Sequence, residues 1–270
     1  MGTSILKGLC RSSSADDGLD LSYTACVRSQ GSLDRLRKAL GENSSSVDCQ
    51  VGAFAESSKK ADVVMLGVPP GELDSFSQTP GLAEAVQGKL IVSLLAGVSC
   101  TQVATAFSKG NDDKLLSSVT RVIPTIAAQV NDSVTIIADF EKTDEAQRQL
   151  CTTIFRRIGA TQDVPESLMN EATATGAVCH AIAISAVDAA VDASVAKGLP
   201  REAALGLAAH SLRSAAGLLG GEMTPEQLKA AMSVPCGITI NSMLKLDRAN
   251  LRHAVADTVG EAIDYARSMA

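Results

Sequence analysis

Through the first 164 residues, short β-branched apolar runs alternate with stretches of helical spacing. The runs Leu21–Val27, Asp62–Val68, Leu90–Leu95, Val119–Ile123 and Val134–Ala138 predict strands, and the stretches Gly2–Cys10, Ser32–Leu40, Ser99–Phe107 and Asp144–Ile158 predict helices. Alternation of this kind predicts a parallel sheet with crossover helices. Val63-Val64-Met65-Leu66 is apolar at every position, which suits a strand covered on both faces.

From Pro165 the pattern is helical to the end. Leu168–Lys197 has no proline and is rich in Ala, Ser, Thr and Val, so it predicts a single helix of about 45 Å. Ala174, Val178, Ile182, Ala186, Ala189 and Ala193 give it a face that another helix can approach closely. Gly198-Leu199-Pro200 predicts a stop and a restart, followed by helices Arg201–Leu219, Pro225–Met232 and Ile240–Met269. Leu251, Val255, Val259, Ile263 and Ala266 form a stripe on the last of these. The expected fold class is therefore α/β: a sheet domain over residues 1–164, then an all-α domain over 165–270.

Composition narrows the function classes. Hydrophobic residues make up 46% of the 270 positions, aromatics only 3%, and there is no Trp. Surfaces that stack bases or sugars need aromatics. A formal net charge of −6 argues against a nucleic-acid partner, which requires a basic field. The seven cysteines (10, 26, 49, 100, 151, 179, 236) form no C-x-x-C pair, as in a reduced, cytoplasmic setting without a zinc site or disulfide framework. No uninterrupted run of about 18 apolar residues occurs, so no membrane partner is expected.

The most informative stretch is Ser233-Val234-Pro235-Cys236-Gly237-Ile238-Thr239-Ile240-Asn241. Before it, Thr224-Pro225-Glu226-Gln227 has the residues of a capping box with Pro at the first helical position. Pro235 stops that helix, and Ile240, Met243 and Leu244 resume helical spacing. A tight turn thus delivers the chain into a helix start, where free amides beside the Thr239 hydroxyl suit a carboxylate or phosphate. Spacing alone also fits an ordinary helix–helix corner.

Ser233, Pro235, Gly237 and Thr239 resemble the Ser-x-Pro-Gly-Gly-x-Thr signature of pyrroline-5-carboxylate reductases, with Cys236 in place of one glycine. Ser93-Leu94-Leu95-Ala96-Gly97-Val98 resembles the family's Ser-x-x-Ala-Gly-Val, and Gly198-Leu199-Pro200 its Gly-Leu-Pro. Arg121-Val122-Ile123-Pro124 is similar to its Arg-Val-Met-Pro, after which Thr125-Ile126-Ala127 departs. The resemblance runs from Gly2 to Tyr265.

The resemblance implies a Rossmann-like first domain, a helical second domain that forms a homodimer, and NADPH-dependent reduction of a cyclic imine, 1-pyrroline-5-carboxylate, to L-proline. It places Gly237, Ile238 and the catalytic candidate Thr239 against the substrate. Val68, Pro69 and Pro70 align with the family's loop over the nicotinamide half of the cofactor, with Pro69 where the family has lysine. Ala96 and Gly97 would let a flat ring approach the backbone. Arg28 and Ser29 stand where NAD enzymes carry an acidic ribose ligand, so a 2′-phosphate is favoured. A solvated Arg at a strand end is the plain alternative.

His180 falls where the family has proline. It reads either as a core residue of an apolar helix or as a substrate-binding group. Gly2 aligns with the third glycine of the family's phosphate loop, so the first strand and first two glycines of the pattern are missing, and weak NADPH binding is expected. These departures leave two other readings open: an imine reductase with a different substrate, and a non-catalytic dimeric homologue.

Overall fold

The computed structural model of the chain describes residues 1–12, 17–108, 118–139, 144–221 and 223–268. These form two compact units, Met1–Ala172 and Thr173–Ser268. The polar loop Ser12–Gly18 and the end of the last predicted helix lie partly outside the described residues.

The first unit begins with α1 (Gly2–Arg11), β1 (Tyr23–Val27), α2 (Gln30–Leu40), β2 (Val47–Val51), α3 (Phe54–Lys60) and β3 (Val63–Leu66). After two short helices, α4 (Leu73–Ser77) and α5 (Leu82–Ala85), come β4 (Leu90–Ser93), α6 (Cys100–Ser108), β5 (Val119–Ile123), β6 (Ser133–Asp139), α7 (Glu145–Arg156) and β7 (Gly159–Pro165). Each of the five predicted strands is present, within two residues at either end. β2 and β7 are additional: Val47-Asp48-Cys49-Gln50-Val51 and Gly159–Pro165 are half polar and carry no apolar run.

Backbone pairing divides the strands into two sheets. β1 pairs in parallel with β2, and β3-β4-β5-β6-β7 form a second sheet. In the second sheet β5 and β6 are antiparallel, so the expected all-parallel sheet is mixed at that step. Among the described residues β1 and β3 are not paired with each other. β4 is buried at all four positions, whereas Val63, Val64 and Met65 of β3 are only half-buried.

Helix α1 docks through a residue that must be small. A Cβ on Gly8 would lie 2.1 Å from the Ala128 carbonyl oxygen. Asn131 fixes the contact by donating to the carbonyls of Gly8 (2.8 Å) and Arg157 (2.7 Å). Ile5 and Leu9 then join Leu90, Val92, Val122 and Phe155 in one core, against which Tyr23, Val63 and Met65 also pack. The Tyr23 hydroxyl donates to the Leu9 carbonyl at 3.4 Å, which sets the last turn of α1 beside the start of β1.

α8 (Met169–Ala196) leaves the first unit, and α9 (Arg201–Leu219), α10 (Pro225–Met232), α11 (Ile238–Arg248) and α12 (Leu251–Ser268) complete the second. The capping box at Thr224 forms in full. The predicted helix Ile240–Met269 is in fact two helices. The chain turns at Ala249-Asn250, with Asn250 at φ 56°, a conformation Asn tolerates better than most residues. The segment Glu166–Ala196 is long and apolar enough to cross a membrane by length and composition, and only 17% of its most apolar window is buried. The sequence expectation required an uninterrupted apolar run of about 18 residues, a stricter condition than the mean hydropathy this segment meets.

Candidate active site

Apart from Gly2, which begins α1, the predicted cofactor residues follow the C-terminal ends of β1, β3 and β4. Arg28 directly follows β1, and its guanidinium makes an ion pair with Glu72. Glu72 closes a short 3-10 turn, Pro70–Glu72, that follows β3, where its amide donates to the Pro69 carbonyl at 2.9 Å. The ion pair thus ties the segment after β1 to the segment after β3. Ser29 caps α2: its hydroxyl accepts from the Ser32 amide at 3.3 Å and lies 3.2 Å from the Ser32 hydroxyl. Arg35 donates to that same Ser32 hydroxyl at 2.8 Å. The sequence reading missed Arg35 and Glu72. Arg35 was legible as a cation one turn after Ser32, whereas nothing local marks Glu72.

Val68 packs on the core around Leu95 and Val103, while Pro69 and Pro70 are exposed. Beyond β4, Ala96 is exposed and Gly97 turns the chain at φ 72°, a left-handed conformation that favours glycine. Two contacts hold this loop from behind. Ser99 and Gln102 form a reciprocal cap at the start of α6, at 2.7 and 3.1 Å. The Cys100 amide donates to the Glu166 carboxylate at 2.5 Å. Arg121, buried on β5, lies beside Glu166, whose charge opposes the lowering of the Arg121 pKa by burial. Burial, reinforced by Glu166, pushes the Cys100 thiol up, so that cysteine is an inert core residue. At the N-terminus of α1 no side chain caps the helix, and the space a Cβ on Gly2 would take has no neighbour within 4 Å.

These features fit a nicotinamide dinucleotide. They supply a cation and a hydroxyl at the end of β1, an open helix N-terminus, and a small-residue turn at the end of β4. The Arg28–Glu72 pair brings Arg28 to the turn that follows Pro69.

The predicted substrate residues lie in the second unit. The Gly237 amide donates to the Val234 carbonyl at 2.9 Å, closing a turn with Pro235 and Cys236 at its centre. Cys236 sits at φ 58°, where the family signature has glycine. A Cβ on Gly237 would lie 2.7 Å from a Val234 methyl. α11 starts two residues earlier than the pattern indicated. Gly237 is its N-cap without a side-chain cap, Ile238 is 87% exposed, and Thr239 sits in the first turn. Free helix amides and a hydroxyl therefore occur together as expected. His180 lies on α8 and is exposed, with its Nδ1 3.0 Å from the Gly176 carbonyl, which can only accept. Within the single chain it is not part of a buried core. Among the described residues no hydrogen bond links it to the Ser233–Thr239 turn. No cluster of metal-ligating side chains occurs among the described residues.

Comparison with known proteins bears on both units. Residues 166–269 match the model of the pyrroline-5-carboxylate reductase dimerisation family. Residues 1–97 match that of the family described as NADP oxidoreductase, coenzyme F420-dependent. A pyrroline-5-carboxylate reductase of Lophium arboricola is 32% identical over 281 aligned residues, covering 97% of this chain and 88% of that one. The enzyme of the same name from Methanosarcina acetivorans is 30% identical over 212 residues, 78% of this chain and 76% of that one. In fold, the chain resembles the pyrroline-5-carboxylate reductase of Coxiella burnetii, with a TM-score of 0.81 at 22% identity over 100% of this chain and 94% of that one. It likewise resembles the Plasmodium falciparum pyrroline carboxylate reductase solved with NADP bound, with a TM-score of 0.77 at 18% identity over 100% and 94%.

Proposed function

We propose a function from one premise: the chain belongs to the pyrroline-5-carboxylate reductase family. It is an oxidoreductase that uses NADPH to reduce 1-pyrroline-5-carboxylate to L-proline, in the cytoplasm, as a step of proline biosynthesis. The observation that carries this reading is the relationship to the Lophium arboricola enzyme across 97% of the chain.

Bound NADPH supplies the hydride. A cyclic imine is partly protonated near neutral pH, and its iminium accepts hydride directly, so the chain must orient the ring and exclude water more than it must donate a proton. The Thr239 hydroxyl and the uncapped amides after Gly237 would hold the imine carboxylate. Arg28 and Ser29 would take the 2′-phosphate, and the open N-terminus at Gly2 would face the pyrophosphate. Ala96 and Gly97 would leave room for the ring beside the backbone, with Val68, Pro69 and Pro70 shaping the neighbouring loop. His180 would meet the substrate from α8.

The apolar surface of the second unit supports a homodimer. Ile184, Leu205 and Leu212 line an open apolar groove of ≈ 490 Å³ between α8 and α9. The dimerisation-family match over 166–269 favours a second copy over lipid as the cover for α8.

The test is loss of NADPH absorbance on addition of pyrroline-5-carboxylate, with proline identified as product. No turnover with either nicotinamide, at any imine concentration, would overturn the assignment. Turnover of other cyclic imines alone would keep the reductase and replace the substrate.

A further inference from the structure

The Arg28–Glu72 ion pair bears on cofactor choice. The pairing oxygen of Glu72 is shielded from solvent, yet the two side chains as a whole are 51% and 39% exposed. An exposed pair of this kind is weak, and a doubly charged phosphate is a stronger, bidentate acceptor for the same guanidinium. Glu72 reaches Arg28 only because the turn Pro70–Glu72 brings the chain after β3 across to the end of β1.

We infer that Glu72 is a specificity-determining positioning residue: it occupies Arg28 in the free protein, and a ligand's 2′-phosphate must displace it. The inference rests on Arg28 being the phosphate contact of the proposed reductase. A nucleotide without the phosphate leaves the pair intact and is indifferent to Glu72. Glu72 therefore lowers the preference for the phosphorylated cofactor without touching the reacting atoms.

The test is calorimetric titration of the full chain with adenosine 2′,5′-bisphosphate and with adenosine 5′-monophosphate, neither of which depends on catalysis. Glu72→Gln is expected to bind the bisphosphate about three- to fivefold tighter, the range set by an exposed ion pair, with the monophosphate unchanged. Arg28→Gln should erase the preference between the two ligands, and Arg28→Gln/Glu72→Gln should match Arg28→Gln. If Arg28→Gln erases the preference but Glu72→Gln leaves bisphosphate affinity unchanged or weaker, the role of Glu72 is overturned and that of Arg28 stands. If Glu72→Gln tightens binding equally without Arg28, the effect is general charge and the inference falls. If Arg28→Gln binds as the parent does, or the parent shows no preference, the Arg28 reading and this inference fall together. NADPH turnover separately decides whether the reductase reading survives.

Discussion

Across 140 residues of chain, the guanidinium of Arg157 grips the carboxylate of Asp17 through Nε at 2.7 Å and a terminal nitrogen at 2.5 Å. That terminal nitrogen also donates to the Leu19 carbonyl at 2.5 Å, and the Arg157 side chain is only 3% exposed. The approach to β1 is thereby fastened to the end of α7. Hydrogen bonding from Arg157 holds the Asp17 pKa down to about 2, against about 3.9 in an unfolded chain. The folded-state value is the depressed one, so the stabilisation is complete above about pH 4 and is lost as pH falls through about 2. Asp17→Asn should melt at a lower temperature than the parent at pH 6, with the gap closing as the pH drops below 3. A gap that stays constant across that range would remove the charge from the explanation.

How far the sequence reveals this fold depends on which residues carry the signal. β4 and β5 were legible because burial on both faces makes them continuously apolar. β7 was not, because its polar residues line a strand with a solvated face, and its place is set by Gly159, where a Cβ would lie 2.0 Å from the Ser133 carbonyl oxygen. Among the candidate site residues, Ser29 and Gly237 were visible as cap and turn residues, since such roles follow from local chemistry. Glu72 was not, because its meaning depends on a partner 44 positions away that only the tertiary fold supplies.

The Ser233–Thr239 turn makes a testable demand on two adjacent residues. Cys236 at φ 58° carries a side chain in a conformation that costs about 1–2 kcal/mol outside glycine. Cys236→Gly should relieve that cost, offset by about 0.5–1 kcal/mol of chain entropy. The net gain is up to about 1.5 kcal/mol in urea unfolding. Gly237→Ala should do the opposite, losing about 1–3 kcal/mol as its methyl meets Val234. Equal midpoints for both variants would show that the turn is not held as described.

Under the proposed function, Thr239 would separate substrate binding from cofactor binding. Thr239→Ala removes a hydroxyl from the first turn of α11 while leaving the Gly237 N-cap in place. The expected loss in kcat/KM for the imine is equivalent to about 1–3 kcal/mol, with NADPH affinity unchanged. A variant with parental kcat/KM would move the substrate site away from this turn.

Assembly should depend on the groove between α8 and α9. Leu205 is 51% exposed and Leu212 42% exposed, both on α9 beside Ile184 of α8. An exposed apolar groove of this kind is where the proposed second copy would pack. Light scattering at micromolar concentration should report a dimer or larger for the parent and a smaller species for Leu205→Glu, which buries a charge in the contact. A monomeric parent would leave the second unit packed on its own.

β1 and β3 are each the end strand of their sheet among the described residues. β1 and β3 each pair on one side only among the described residues, and each runs parallel to its single partner. Their half-buried residues Tyr23, Val63 and Met65 share the core formed by Ile5 and Leu9 of α1. The Arg28–Glu72 pair joins the segments that follow them. A strand laid parallel between them, followed by a short turn, would lead into α1. A six-residue apolar strand grafted ahead of Met1 through a short glycine-containing turn is the direct experiment. It would satisfy backbone groups that cost about 1–3 kcal/mol each when buried unpaired, and its turn would add amides facing a bound pyrophosphate. The grafted chain should melt higher, bind NADPH more tightly, and slow hydrogen exchange at the amides of Tyr23–Val27 and Val63–Leu66. Slower exchange at only one strand would mean the graft has added to an edge without bridging the sheets. Unchanged exchange at both would show that neither edge accepts a strand.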